Sequence, residues 1–181
     1  MSSSFRDREE ADRRARGVIV THPNRDKPIV QSTRVVVVVL LLLTVVLLLI
    51  NTIGGWAVLE GALPVQFGFI IAYLLMAFYA ARWSRGVLPL SAALAVLLGI
   101  FALVAAPAWF NRNNPGFEQP ALNAGVLGVV TLLIIPLQML VVTFAMRGFK
   151  QGWNVEVERR DPSAGVGPGA GDYPDVPPFP A

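Results

Sequence analysis

Two carboxamides, Gln138 and Asn51, are the side chains whose setting makes them candidates for chemistry. Both lie in or beside long apolar stretches, where a polar group serves either as packing glue or as part of a site. Gln138 follows Pro136 by two residues. A proline inside a helix has no N–H, so the carbonyl of Leu132, four residues earlier, loses its usual donor. The Gln138 amide could satisfy that disturbed backbone or reach a neighbouring helix. Packing glue is the simpler expectation for both amides, and a ligand or partner contact is the sharper one.

The groups that carry most enzyme chemistry are absent from these stretches. The chain has no Cys, and its one histidine, His22, sits in the polar N-terminal tail. Thiolate metal sites, disulfides and cysteine nucleophiles are thereby excluded. Without His or Cys in the apolar segments the chain is a poor haem carrier on its own. No cofactor, metal site or catalytic residue is expected, nor any enzymatic activity. Glu60 and Glu118 flank apolar segments and read as solvated carboxylates, and Asn111-Arg112-Asn113-Asn114 reads as a polar turn. Proton-coupled transport normally needs a titratable group within the membrane, and no Asp, Glu, Lys, Arg or His lies at the centre of an apolar segment. Phosphate-binding, dinucleotide-binding, zinc-protease and nucleophile-elbow motifs are all missing.

The elements that must position the amides are read from hydropathy. Hydrophobic residues make up 54% of the 181, and they concentrate between Val35 and Met146. A bilayer-crossing helix needs about 20 mostly apolar residues. Four segments qualify, at about 34–59, 64–83, 88–110 and 121–146. The Val-rich first segment favours strand in water, but in hydrocarbon a lone strand leaves its backbone unpaired, so helix wins. It starts too late and runs too long for a secretory signal, and no small-residue cleavage site follows it. The very short linker between the second and third spans predicts antiparallel neighbours. The predicted fold is an all-α integral membrane protein, a four-transmembrane-helix bundle.

Charge sets the expected orientation. The tail 1–33 with Arg34 holds eight Lys and Arg, the second-to-third linker two, and the segment after Met146 four. Four spans put those fourteen on one side and Arg112 alone on the other, so the positive-inside rule predicts cytoplasmic N- and C-terminal tails. Trp56 and Trp109 then fall at the outer interface, and Trp83 and Trp153 near the inner one. In the tails, Phe5 to Arg16 could form a short helix. Val18-Ile19-Val20 is expected to pair with the alternating stretch 153–158 of the juxtamembrane segment 147–161. The Pro/Gly-rich tail 162–181 is expected to be disordered.

Small-xxx-small pairs mark expected helix contacts: Gly68 and Ala72, Ala95 and Gly99, Ala124 and Gly128. The expected partners are the lipid bilayer and other membrane subunits or a second copy, with no nucleic acid. The leading expectation is an accessory, assembly or scaffolding subunit of a larger membrane complex. The alternative is a small oligomeric transporter or channel whose path uses the polar residues near Gln138.

Overall fold

The computed structural model describes residues 18–21, 24–153, 155 and 157–160. The expected helix Phe5–Arg16 and the tail 162–181 lie outside the described residues. Four long helices dominate: α1 (Pro28–Gly54), α2 (Leu63–Ala81), α3 (Val87–Asn111) and α4 (Ala124–Lys150). They have 27, 19, 25 and 27 residues, and each is long and apolar enough to cross a membrane. At 1.5 Å per residue the shortest reaches roughly 28 Å and the longest roughly 40 Å, against a hydrocarbon core of about 30 Å.

The helices outrun the apolar stretches at the ends where polar residues follow. Helix α1 starts at Pro28, behind an extended Lys27, because proline's fixed φ and missing N–H suit a first turn. Helix α4 starts at Ala124 rather than at 121, because the Asn123 side chain caps it by accepting from the Gly125 N–H at 2.9 Å. It runs on to Lys150, placing Arg147 and Lys150 in its last turn, where cations oppose the negative end of the helix dipole. Pro136 and Pro107 lie inside α4 and α3, and both helices continue through them.

Hydroxyls within the helices are satisfied locally. Thr33, Thr44 and Thr52 donate to the carbonyls of Ile29, Leu40 and Leu48 at 2.8, 2.9 and 2.7 Å. Ser91, Thr131 and Thr143 do the same one turn back in α3 and α4. Such back-bonding removes the cost of a hydroxyl in apolar surroundings.

Helix α1 packs against both α2 and α4, and α3 packs mainly on α4, while α2 and α3 touch sparsely. The expected close pairing of α2 with α3 is therefore thin, although a tight turn at 82–86 joins them. That turn fixes only their joined ends. Side chains decide the rest, and the small buried residues of α3 (Ala92, Ala95, Ala102 and Ala106) let its backbone approach α4. Contacts between ends show α1 running antiparallel to α2 and to α4. Arg34 of α1 donates to Ala81 O at the end of α2 (3.2 Å), and the Leu122 N–H before α4 donates to Gly54 O at the end of α1 (3.0 Å).

The outer surface is as apolar as the interior, unlike that of a water-soluble bundle. The interior holds Leu41, Leu48, Leu88 and Val141 together with alanines and the polar Thr44, Thr131 and Gln138, while Val104 (73% exposed), Ile53 (68%) and Met139 (67%) face outward. Large exposed apolar residues occur along all four helices.

The chain divides into two units, 22–155 with the helices, and the terminal segments 1–21 and 156–181. In the second unit β1 (Val18–Thr21) pairs antiparallel with β2 (Val157–Arg160), with Val18 opposite Arg160 and Thr21 opposite Val157. The expected pairing of the two segments is present, but displaced toward the C-terminus. Trp153 is outside the ladder because residues 151–153 form a turn, with Gly152 at φ +59°.

Candidate functional site

The bundle interior contains one polar junction at its centre. Gln138 (2% exposed) accepts a hydrogen bond at Oε1 from the Tyr73 hydroxyl at 2.6 Å. Its Nε2 donates to Thr44 Oγ at 3.1 Å, and that hydroxyl donates onward to Leu40 O. The junction thus ties α4 to α2 and α1. Gln138 reaches neighbouring helices rather than the carbonyl freed by Pro136, because those helices bring two hydroxyls within range of both ends of its amide. Tyr73 was the partner that sequence reasoning missed. Its signal was a phenol inside an apolar segment, since a buried Tyr hydroxyl needs a hydrogen-bond partner.

A second amide lies nearer the end of the bundle that carries the connections 55–62 and 112–123, called here the loop end. Asn51 (3% exposed) receives a long contact from Thr131 Oγ at 3.4 Å. The Thr131 proton is already directed at Leu127 O at 2.8 Å, so Asn51 is weakly held. Its Nδ2 donates to no protein group among the described residues.

Asn51 lines a cleft of about 530 Å³ between α2 and α3. Phe69 and Phe101 meet edge-on at 5.8 Å along its wall. Gln66, Trp109 and Arg112 line it toward the loop end. The Arg112 guanidinium lies 6.0 Å from the Trp109 ring. The cleft exists because α2 and α3, joined at the other end, lean on α1 and α4 respectively rather than on each other. A shallower groove lies beside α1, lined by Val46, Ile50, Ile53 and Leu122. Gln138 lines neither space, and neither do Glu60 and Glu118. Asn111, Asn113 and Asn114 are exposed.

The opposite end is held by aromatic and guanidinium contacts. Trp83 packs edge-on against Trp153 at 5.7 Å, and the Arg34 guanidinium sits 4.2 Å over the Trp83 ring. Arg85 donates to Phe149 O at 3.0 Å and lies 4.3 Å over the Phe149 ring. Trp83 has φ +64°, a left-handed conformation costly for a bulky residue and tolerated where the surroundings fix it. Gln151 donates to Thr33 Oγ at 3.0 Å, and Arg25 to Trp153 O at 3.3 Å. Both tryptophans were expected at one interface; their mutual contact was not legible from spacing.

The small residues divide by location. Ala95 and Ala124 are fully buried. A Cβ on Gly128 would meet the Phe110 ring at 2.8 Å, and one on Gly99 would rest 3.7 Å from Gln138 Cβ. Ala72 is half-buried. Gly68 is exposed, and a Cβ there would meet nothing within 4 Å among the described residues. Gly148 is a close contact missed in sequence, where a Cβ would lie 2.8 Å from Trp153.

Among the described residues no three His, Cys, Asp or Glu side chains are grouped as metal ligands. Comparisons with known protein families, curated proteins and solved structures find no match.

Proposed function

We propose that this chain is a multi-pass membrane protein with both tails in the cytoplasm, serving as an accessory, assembly or scaffolding subunit of a larger membrane complex rather than as an enzyme. The observation that carries the structural role is the Gln138 junction. Its amide uses both ends on Tyr73 and Thr44, which makes it an interhelical tie. A transport path through Gln138 would need that amide to face a cavity, and it lines neither of the two spaces described. The apolar outer surface supports insertion, since large apolar residues facing outward on four long helices match hydrocarbon rather than water. The outward face of α2 supports association. It is apolar, and at Gly68 a second helix could approach closely.

The test is purification of the full chain in mild detergent, with mass analysis of what accompanies it. A stoichiometric membrane protein that is lost on Gly68→Ile substitution is the expected result. A chain that stays alone under every mild condition would overturn the subunit role.

A further inference from the structure

We infer that the α2–α3 cleft is a phospholipid site, holding one acyl chain against Phe69 and Phe101 and the headgroup region at Asn51, Gln66 and Arg112. The inference rests on the membrane reading above and adds a ligand to it. The cleft volume of about 530 Å³ is that of a small-molecule site, which is typically about 300–1,000 Å³, mostly apolar, with a few placed polar groups. A partner helix is far too large for it.

The polar groups are sorted by position. Gln66 lies in the first turns of α2, Asn51 in the last turn of α1, and Arg112 just past the end of α3. All three are therefore at the loop end, while Phe69, Leu98 and Phe101 lie deeper along the helices. An amphiphile with its tail toward the bundle centre and its head at the loop end matches that gradient.

The donors specify an acceptor-rich head. The Asn51 amide is buried, with Nδ2 unpartnered among the described residues, and a buried donor of that kind calls for a partner. The side chains of Gln66 and Arg112 also make no hydrogen bond among the described residues. No carboxylate lines the cleft. A phosphodiester suits Arg112, whose planar guanidinium binds phosphate oxygens in pairs. An ester carbonyl, one step below the phosphate in a glycerolipid, suits the deeper Asn51 Nδ2.

Native mass spectrometry of the full chain, released from detergent and titrated with phosphatidylglycerol, tests the assignment. One retained lipid is expected for the native sequence. Asn51→Leu with Arg112→Ala should weaken it by about tenfold or more, as expected for losing charge-assisted contacts. Ala105→Trp, which places a ring in the cleft from an exposed wall position, should abolish the retained lipid with the donors intact. Equal retention by all three proteins would overturn the site, as would displacement of the lipid by inorganic phosphate alone. A photo-reactive side chain at position 105 should crosslink to lipid; crosslinking to a protein would assign the cleft to a partner instead. Carbonate extraction separates the two levels of failure. A chain released from membranes fails the membrane reading, whereas a retained chain without bound lipid fails only this site.

Discussion

Tyr73 and Gln138 lie 65 positions apart in the chain, yet the phenol oxygen stands 2.6 Å from the amide oxygen in the buried interior. Thr44 completes the junction from a third helix. In the membrane setting proposed above, where lipid leaves little hydrophobic drive between helices, such ties and close small-residue contacts set the arrangement.

Removing one member should cost more than its share. Tyr73→Phe leaves Gln138 Oε1 without its donor, and Gln138→Leu leaves the Tyr73 hydroxyl without its acceptor. Interhelical hydrogen bonds in membrane proteins are worth about 0.6 kcal/mol on average and up to about 1.7. A double-mutant cycle on thermal unfolding in detergent should therefore give a coupling of about 0.6–1.7 kcal/mol. Strict additivity of the two losses would show that the pair does not act as a unit.

Gly128 and Gly68 should respond oppositely to a methyl group. A Cβ at 128 would press the Phe110 ring at 2.8 Å, while one at 68 meets nothing within 4 Å. Gly128→Ala is expected to destabilise the isolated chain by up to about 2 kcal/mol, an overpacking penalty of about 1–3 kcal/mol offset in part by alanine's helix preference of about 1 kcal/mol. Gly68→Ala should leave its melting temperature unchanged or slightly raised, since alanine favours helix. Equal melting temperatures for the two variants would contradict this packing.

The Trp83 cluster should be sensitive to guanidinium geometry as well as charge. Arg34 lies 4.2 Å from the Trp83 ring centre and donates to Ala81 O. Lysine keeps the charge but lacks the planar face that stacks. Arg34→Lys should lower stability by roughly 0.5–1 kcal/mol, the range of a partly exposed cation–π contact. Trp83→Ala should cost more, and Arg34→Lys on that background should cost almost nothing. A full Arg34→Lys penalty without Trp83 would detach the cation from the ring.

Orientation can be read with single cysteines, because the native chain has none. Cysteine at Asn114 should react with an impermeant maleimide on intact cells. Cysteines at Ser4 and Ser163 should react only after permeabilisation. Tails labelled on opposite faces would refute an even number of crossings.

The sequence by itself determined the number and rough limits of the four helices. Runs such as Val35–Ile50 contain nothing that could satisfy a backbone except the helix itself, and that constraint is local. It also located Gln138, because an amide in an apolar run stands out whatever surrounds it. The strand pairing was legible from a two-residue alternation, but its register was not, since a turn at 151–153 displaced the ladder. Tertiary structure alone decided which helices touch. Tyr73 and Thr44 became partners of Gln138, and Gly128, not Gly68, met an aromatic ring. The opening between α2 and α3 belongs to the same class. Helix formation is set by residues within a few positions of each other, whereas helix neighbours are chosen by how small and polar side chains from distant segments fit together, and no spacing within one segment records that choice.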